Sequence, residues 1–172
     1  MRSTRIVVGI VMMAGLFGCG GGGGGSADDD ADVQRVAKDT RAAATETFDA
    51  IGRGVQVLGY TSSGAGRWVI CGMEPSPNGT QYVAEIAVTQ SNVPPSQYGA
   101  VVREQAEAQG WSVEQVAGDT VEGRKDGLEL RAQYGSAAMN LSVRSRCLDV
   151  PKDEIRRLTD QPKDDLGVAP PS

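Results

Sequence analysis

Apolar and small residues recur at helical spacing from Asp32 to Ile51, at Val33, Val36, Ala37, Ala43, Ala44, Phe48 and Ile51. The first predicted element is therefore an amphipathic helix. Acidic residues at its start suit the positive end of the helix dipole, and Gly52 suits its stop. Val55 to Tyr60 alternates weakly and reads as a strand, Ser62 to Gly66 as a loop. Arg67 to Met73 is a strand carrying Trp68, Ile70 and Cys71, and Pro75 to Gly79 is a turn. Gln81 to Gln90 alternates more cleanly, with Tyr82, Ala84, Ile86 and Val88 on one face. Pro94 and Pro95 then open a second helix, as proline does in a first turn. Its apolar side holds Tyr98, Val101, Val102, Gln105 and Ala106, and Gly110 ends it. A strand runs from Trp111 to about Val116.

Val121 to Cys147 reads as a meander. Asp126-Gly127 is a strong signal for a two-residue hairpin turn. Counting outward from it sets Arg124 against Glu129 and Glu122 against Arg131. Each is an opposite-charge cross-strand pair worth roughly 0.2–1 kcal/mol. A second turn at Gly135-Ser136 would set Leu130 against Leu141, Ala132 against Met139 and Leu128 against Val143 as the buried face. Pro151 to Leu158 reads as a helical turn.

Together these elements predict one α+β domain over residues 32–159, an antiparallel sheet with two helices packed on one face. Its halves read as a pseudo-repeat of helix plus meander. Residues 160–172 read as a disordered C-terminal tail.

The front of the chain is of another kind. Arg2 and Arg5 precede an uncharged, apolar or small stretch from Ile6 to Phe17. That is too short to cross a bilayer core, which takes roughly 20 residues, and it reads as a signal-peptide hydrophobic region. The stretch closes on Leu16-Phe17-Gly18-Cys19. Leu16, Gly18 and Cys19 resemble the lipobox of bacterial lipoproteins; Phe17 departs from it, being larger than the usual residue there. The resemblance implies cleavage after residue 18 and a lipid on Cys19. Residues 19–31 then form a tether, since Gly20 to Gly25 cannot pack and Asp28, Asp29 and Asp30 repel one another. The glycines are no phosphate loop, because no strand precedes them.

Composition narrows the function classes. The net charge is −5, and removing residues 1–18 takes away two arginines and no acid, so the exported chain is more acidic still. A small acidic protein does not suit nucleic acid. Arginine exceeds lysine 13 to 4, and alanine, glycine and valine are frequent, as in GC-rich actinobacterial genomes. Histidine is absent, which excludes His-based triads, His-ligated zinc and a His proton switch. Of three cysteines, lipidation of Cys19 leaves Cys71 and Cys147. In an oxidising compartment this even pair is expected to form a disulfide.

The lipobox, the short tether, an early helix, a Trp-x-x-Cys strand from Trp68 to Cys71 and a late cysteine together resemble small actinobacterial lipoproteins of the LppA-like kind. The resemblance brings no enzymatic activity and no catalytic residue with it. The residues themselves point the same way. Ser62 and Ser63 lack the GxSxG setting and any histidine base. No metal or cofactor site is expected. Trp68 and Trp111 read as core. Arg124, Arg131, Arg144 and Arg146, with Asn140 and Ser142, fall on the outward face of the meander. They form either a solvated sheet face, which the predicted acidic partners of Arg124 and Arg131 favour, or a stripe that would meet an envelope protein, anionic lipid or an anionic polymer.

The expected protein is a lipid-anchored, non-enzymatic interaction or structural module on the extracytoplasmic face of the cell membrane. The alternative is an extracytoplasmic binding protein for a small apolar or anionic, lipid-like ligand, held between helices and sheet. Cys19→Ala should leave full-length, unlipidated precursor. Intact-protein mass and detergent phase partition check this, and unchanged values would refute the lipobox reading.

Overall fold

The computed structural model describes residues 27–72, 79–136 and 138–171. Cys19, the signal segment, most of the tether and the expected turn after Met73 lie outside the described residues. Among the described residues the sheet contains nine strands and is antiparallel throughout. Its chain order is α1 (Ala27–Gly54), β1 (Val57–Tyr60), β2 (Ala65–Cys71), β3 (Gly79–Ser91) and α2 (Tyr98–Ala108). There follow β4 (Ser112–Ala117), β5 (Thr120–Lys125), β6 (Leu128–Tyr134), β7 (Met139–Arg144), β8 (Leu148–Asp149), α3 (Lys152–Thr159) and β9 (Asp164–Asp165). The α+β class is as predicted. A hairpin-like run of strands follows α1, and a four-strand meander follows α2.

The strands lie in the order β4-β5-β6-β7-β3-β2-β9. β3 is the axis. β2 and β1 follow one another along one side of it, β7 and β8 along the other. Alternation sends Tyr82, Ala84, Ile86 and Val88 to the inner face, where all four are buried. Leu130, Ala132, Met139, Leu141 and Val143 extend that apolar surface across β6 and β7. α1 covers it with Val33, Val36, Ala44, Phe48 and Ile51, and α2 with Tyr98, Val102 and Ala106. α3 joins the same side. Its Leu158 enters the common core, and Arg157 reaches Asp30 of α1 at 3.1 Å. Both tryptophans are core: Trp68 packs edge-on to Tyr82, and the Trp111 indole donates to Thr47 Oγ1 at 3.0 Å.

Cys71 and Cys147 form the expected disulfide, with Cα atoms 5.9 Å apart. It joins the end of β2 to the segment before β8 and so passes over Gly79, the first residue of β3. A Cβ there would come within 2.7 Å of the Cys147 sulfur. Only glycine fits beneath the bridge.

Three expectations need correction. The tether is shorter, because α1 starts at Ala27 rather than Asp32. The first hairpin register is as counted, Arg124 opposite Glu129 and Glu122 opposite Arg131, with Asp126 and Gly127 both at positive φ in the turn. The second is displaced by two residues: Leu130 faces Val143, Ala132 faces Leu141 and Tyr134 faces Met139. The connection runs from Gly135 to Ala138, closed by the Gly135 amide donating to the Ala138 carbonyl at 2.9 Å. A slip of two keeps every side chain on its face, so the buried set survives the wrong turn length.

The third correction is the C-terminus, which is not a disordered tail. β9 pairs with Ala65 and Gly66 of β2, and Val168 is buried. The cause lies in the β1–β2 junction. From Tyr60 to Ala65 the chain takes five steps while β3 takes three, from Val88 to Glu85. The surplus bulges out at residues 61–64. There the Gly64 carbonyl accepts from the Leu166 amide at 3.3 Å, and the Ser63 carbonyl from the Val168 amide at 2.8 Å. Tyr82 completes the fastening from inside, donating its hydroxyl to Asp164 Oδ2 at 2.5 Å. Burial, reinforced by that bond, raises the phenol pKa far above its usual value. A Cβ on Gly66 would overlap the hydroxyl.

The disulfide closes a loop of 76 residues. Replacing both cysteines with serine should cost about 2–4 kcal/mol of unfolding free energy in denaturant titrations. No loss would contradict a structural role.

Candidate functional site

Among the described residues no helix covers the outer face of the sheet. Its side chains fall into rows that the strand register fixes. One row reads Ser112, Arg124, Glu129, Arg144, Val83, Arg67 across β4, β5, β6, β7, β3 and β2. The next reads Glu114, Glu122, Arg131, Ser142, Glu85, Ala65. A third brings Gln133, Asn140 and Ala87 together. Arginines and glutamates thus alternate over the surface. Two ion pairs use this spacing: Arg67 to Glu85 at 3.1 Å and Arg131 to Glu122 at 3.6 Å. Both are half-exposed and contribute little stability.

The structure brings Arg124, Arg131 and Arg144 onto this face with Asn140 and Ser142, as the alternation predicts. Arg146 does not join them. From Arg144 to Leu148 the chain takes four steps while β3 takes three, from Val83 to Thr80. Ser145 anchors this one-residue bulge: its amide donates to the Tyr82 carbonyl, and its hydroxyl accepts from the Tyr82 amide, both at 2.9 Å. The extra residue reverses the alternation. Arg146 therefore turns to the helix side and pairs with Asp32 of α1 at 3.0 Å.

Two open grooves mark the outer face. One, of about 320 Å³, lies over β4, β5 and β6, where Arg124, Arg131 and Arg144 meet Glu114, Glu122 and Glu129 in balance. The other, of about 640 Å³, lies over β6, β7 and β3 and shares Arg131 and Arg144 with the first. Its far wall is the β1–β2 bulge, Thr61 and Ser62, with Lys163 from the docked C-terminus. Cations prevail here: Arg131, Arg144 and Lys163 against Glu85, which Arg67 already holds. Val83, Glu85 and Ala87 were legible in the sequence, being the outward residues of the alternation that buries Tyr82 and Ala84. Lys163 was not, since only the docking of β9 places it.

The serine loop has a structural task. The Ser63 hydroxyl donates to Asp165, and Ser62 Oγ accepts from the Gly64 amide at 3.2 Å. The Asp165 carboxyl sits below the usual aspartate range, first because of Ser63 and then because the Gly167 amide donates to it. Among the described residues no group of three acids or cysteines is placed to hold a metal ion. Nor is any helix among them long and apolar enough to cross a membrane.

No family model matches the chain, and no curated protein is similar to it. One solved structure resembles it, a DUF4853 family protein from Actinomyces odontolyticus. The identity is 13%, the TM-score 0.44, and the match covers 81% of this chain and 76% of that one.

A depressed carboxyl contributes stability above its unfolded pKa, and that contribution is lost as pH falls through the folded value. Carboxyl NMR titration should find Asp165 ionising below about pH 3.9, the ordinary aspartate value. Ser63→Ala should move it upward. An unmoved titration would show that Ser63 does not hold this carboxylate.

Proposed function

We propose that this protein is a lipid-anchored lipoprotein of the bacterial cell envelope. It acts without catalysis, and its uncovered sheet face is the contact surface for an envelope partner. Cys19 in its lipobox-like setting supports the anchor. One observation carries the contact surface: among the described residues the outer face is free of helices, ordered by strand register and grooved. The inner face, by contrast, is filled. Tyr82, Phe48, Ile51, Leu130, Met139 and Leu141 are all fully buried there. The grooves open to solvent outside the sheet, which favours a surface contact over a small ligand held between helices and sheet.

The test uses the full chain. Wild type and Arg131→Glu plus Arg144→Glu are recovered from detergent-solubilised envelope, and co-purifying proteins, lipids and glycans are identified by mass spectrometry. The double variant should lose the wild-type partner. Arg35→Glu, exposed on the helix side, should keep it. Equal recovery by wild type and double variant would contradict the contact surface.

A further inference from the structure

We infer that the groove of about 640 Å³ over β6, β7 and β3 binds a carboxylated polysaccharide segment. This rests on the outer face being the contact surface. The first support is charge. The chain carries 22 acids and 17 bases, yet three cations and one acid line this groove, and that acid is already paired. Arg131 faces Ser142 directly, so Arg144 is its diagonal neighbour, roughly 7–8 Å away. Arg131 reaches Glu122 only at 3.6 Å, and Arg144 has no ion pair among the described residues. The Arg144 guanidinium fork is therefore available to a planar carboxylate, and Arg131 is held only by its long contact to Glu122.

The second support is the neutral lining. Gln133, Asn140 and Ser142 stand beside the arginines, with Thr61 and Ser62 opposite. A bare anion would leave these groups unused. A uronate ring, with hydroxyls around its carboxylate, would engage them. A phosphodiester polymer flanks each phosphate with CH₂ groups and would engage fewer. Val83, Ala87 and Ala65 give a small apolar floor for a ring's C–H face. The third support is shape. Glu114, Glu122 and Glu129 balance the arginines in the adjoining half of the face, so a flat anionic membrane would gain no net attraction there, whereas a narrow chain lying in the groove would meet mainly cations. The groove lining also has no aromatic ring on which nucleobases could stack.

The test is calorimetric titration of the full-length protein in neutral detergent with polygalacturonate oligomers. The same oligomers fully methyl-esterified, a glycerol-phosphate polymer and phosphatidylglycerol vesicles serve as the other arms. The acidic oligomer should bind, with affinity falling as salt rises, and the ester should bind at least about tenfold more weakly. Arg144→Gln and Lys163→Gln should each weaken binding several-fold without changing the unfolding midpoint, and Asn140→Ala should weaken it at low and high salt alike. Arg146→Gln should have no effect. Equal binding of acid and ester, preference for the phosphate polymer, or binding to vesicles alone would overturn the proposal. If the oligomer fails while Arg131→Glu plus Arg144→Glu still loses the envelope partner, only the glycan assignment falls. If that variant also keeps the partner, the contact surface falls with it.

Discussion

The structure depends on the pairing of β3 along both of its edges. Its 13 residues carry four other strands, β1 and β2 on one side and β7 and β8 on the other. Strict alternation in β3 then assigns each residue to one of two environments: the core under the helices, or the open outer face. Because Tyr82 points in, Val83 and Glu85 must point out. The disulfide fixes one end of this arrangement by joining the two flanking chains above Gly79. The geometry of core and groove is thus one fact seen from two sides.

Departures from alternation place the rest. Each flank of β3 carries a bulge, and each bulge has a consequence. The surplus at residues 61–64 supplies the free carbonyls that dock the C-terminus, which covers part of the open edge of β2 and brings Lys163 to the groove. The single extra residue at Ser145 turns Arg146 away from the outer face and onto α1. Without the first bulge the groove would lack a wall. Without the second, Arg146 would join Arg67, Arg124, Arg131 and Arg144 on the outer face.

Much of this was legible in the sequence because it rests on local rules. Periodicity marked α1 and α2, alternation marked β3, and Asp126-Gly127 fixed the β5–β6 register. Compartment logic paired Cys71 with Cys147. What escaped depends on distant partners. The Gly135 connection is two residues longer than the shortest turn, and nothing local separates the two lengths when both preserve the faces. The tail looked unstructured because Asp164, Asp165 and Val168 find their partners far away in sequence, in the bulge, at the start of β2 and in Tyr82. Arg146 was misplaced for a related reason: parity counting assumes an unbroken strand, and the break is caused by Ser145 bonding to β3.

The proposed anchor and contact face would together make a domain held at one point and free to present a patterned, grooved sheet to its surroundings. Arginine-selective modification with phenylglyoxal, read by peptide mass spectrometry, tests that account most directly. Arg131 and Arg144 should be modified in the purified protein and protected on intact cells, while Arg35 on the helix side is modified equally in both. Equal modification of Arg131 and Arg144 in the two settings, or protection of Arg35 instead, would contradict it.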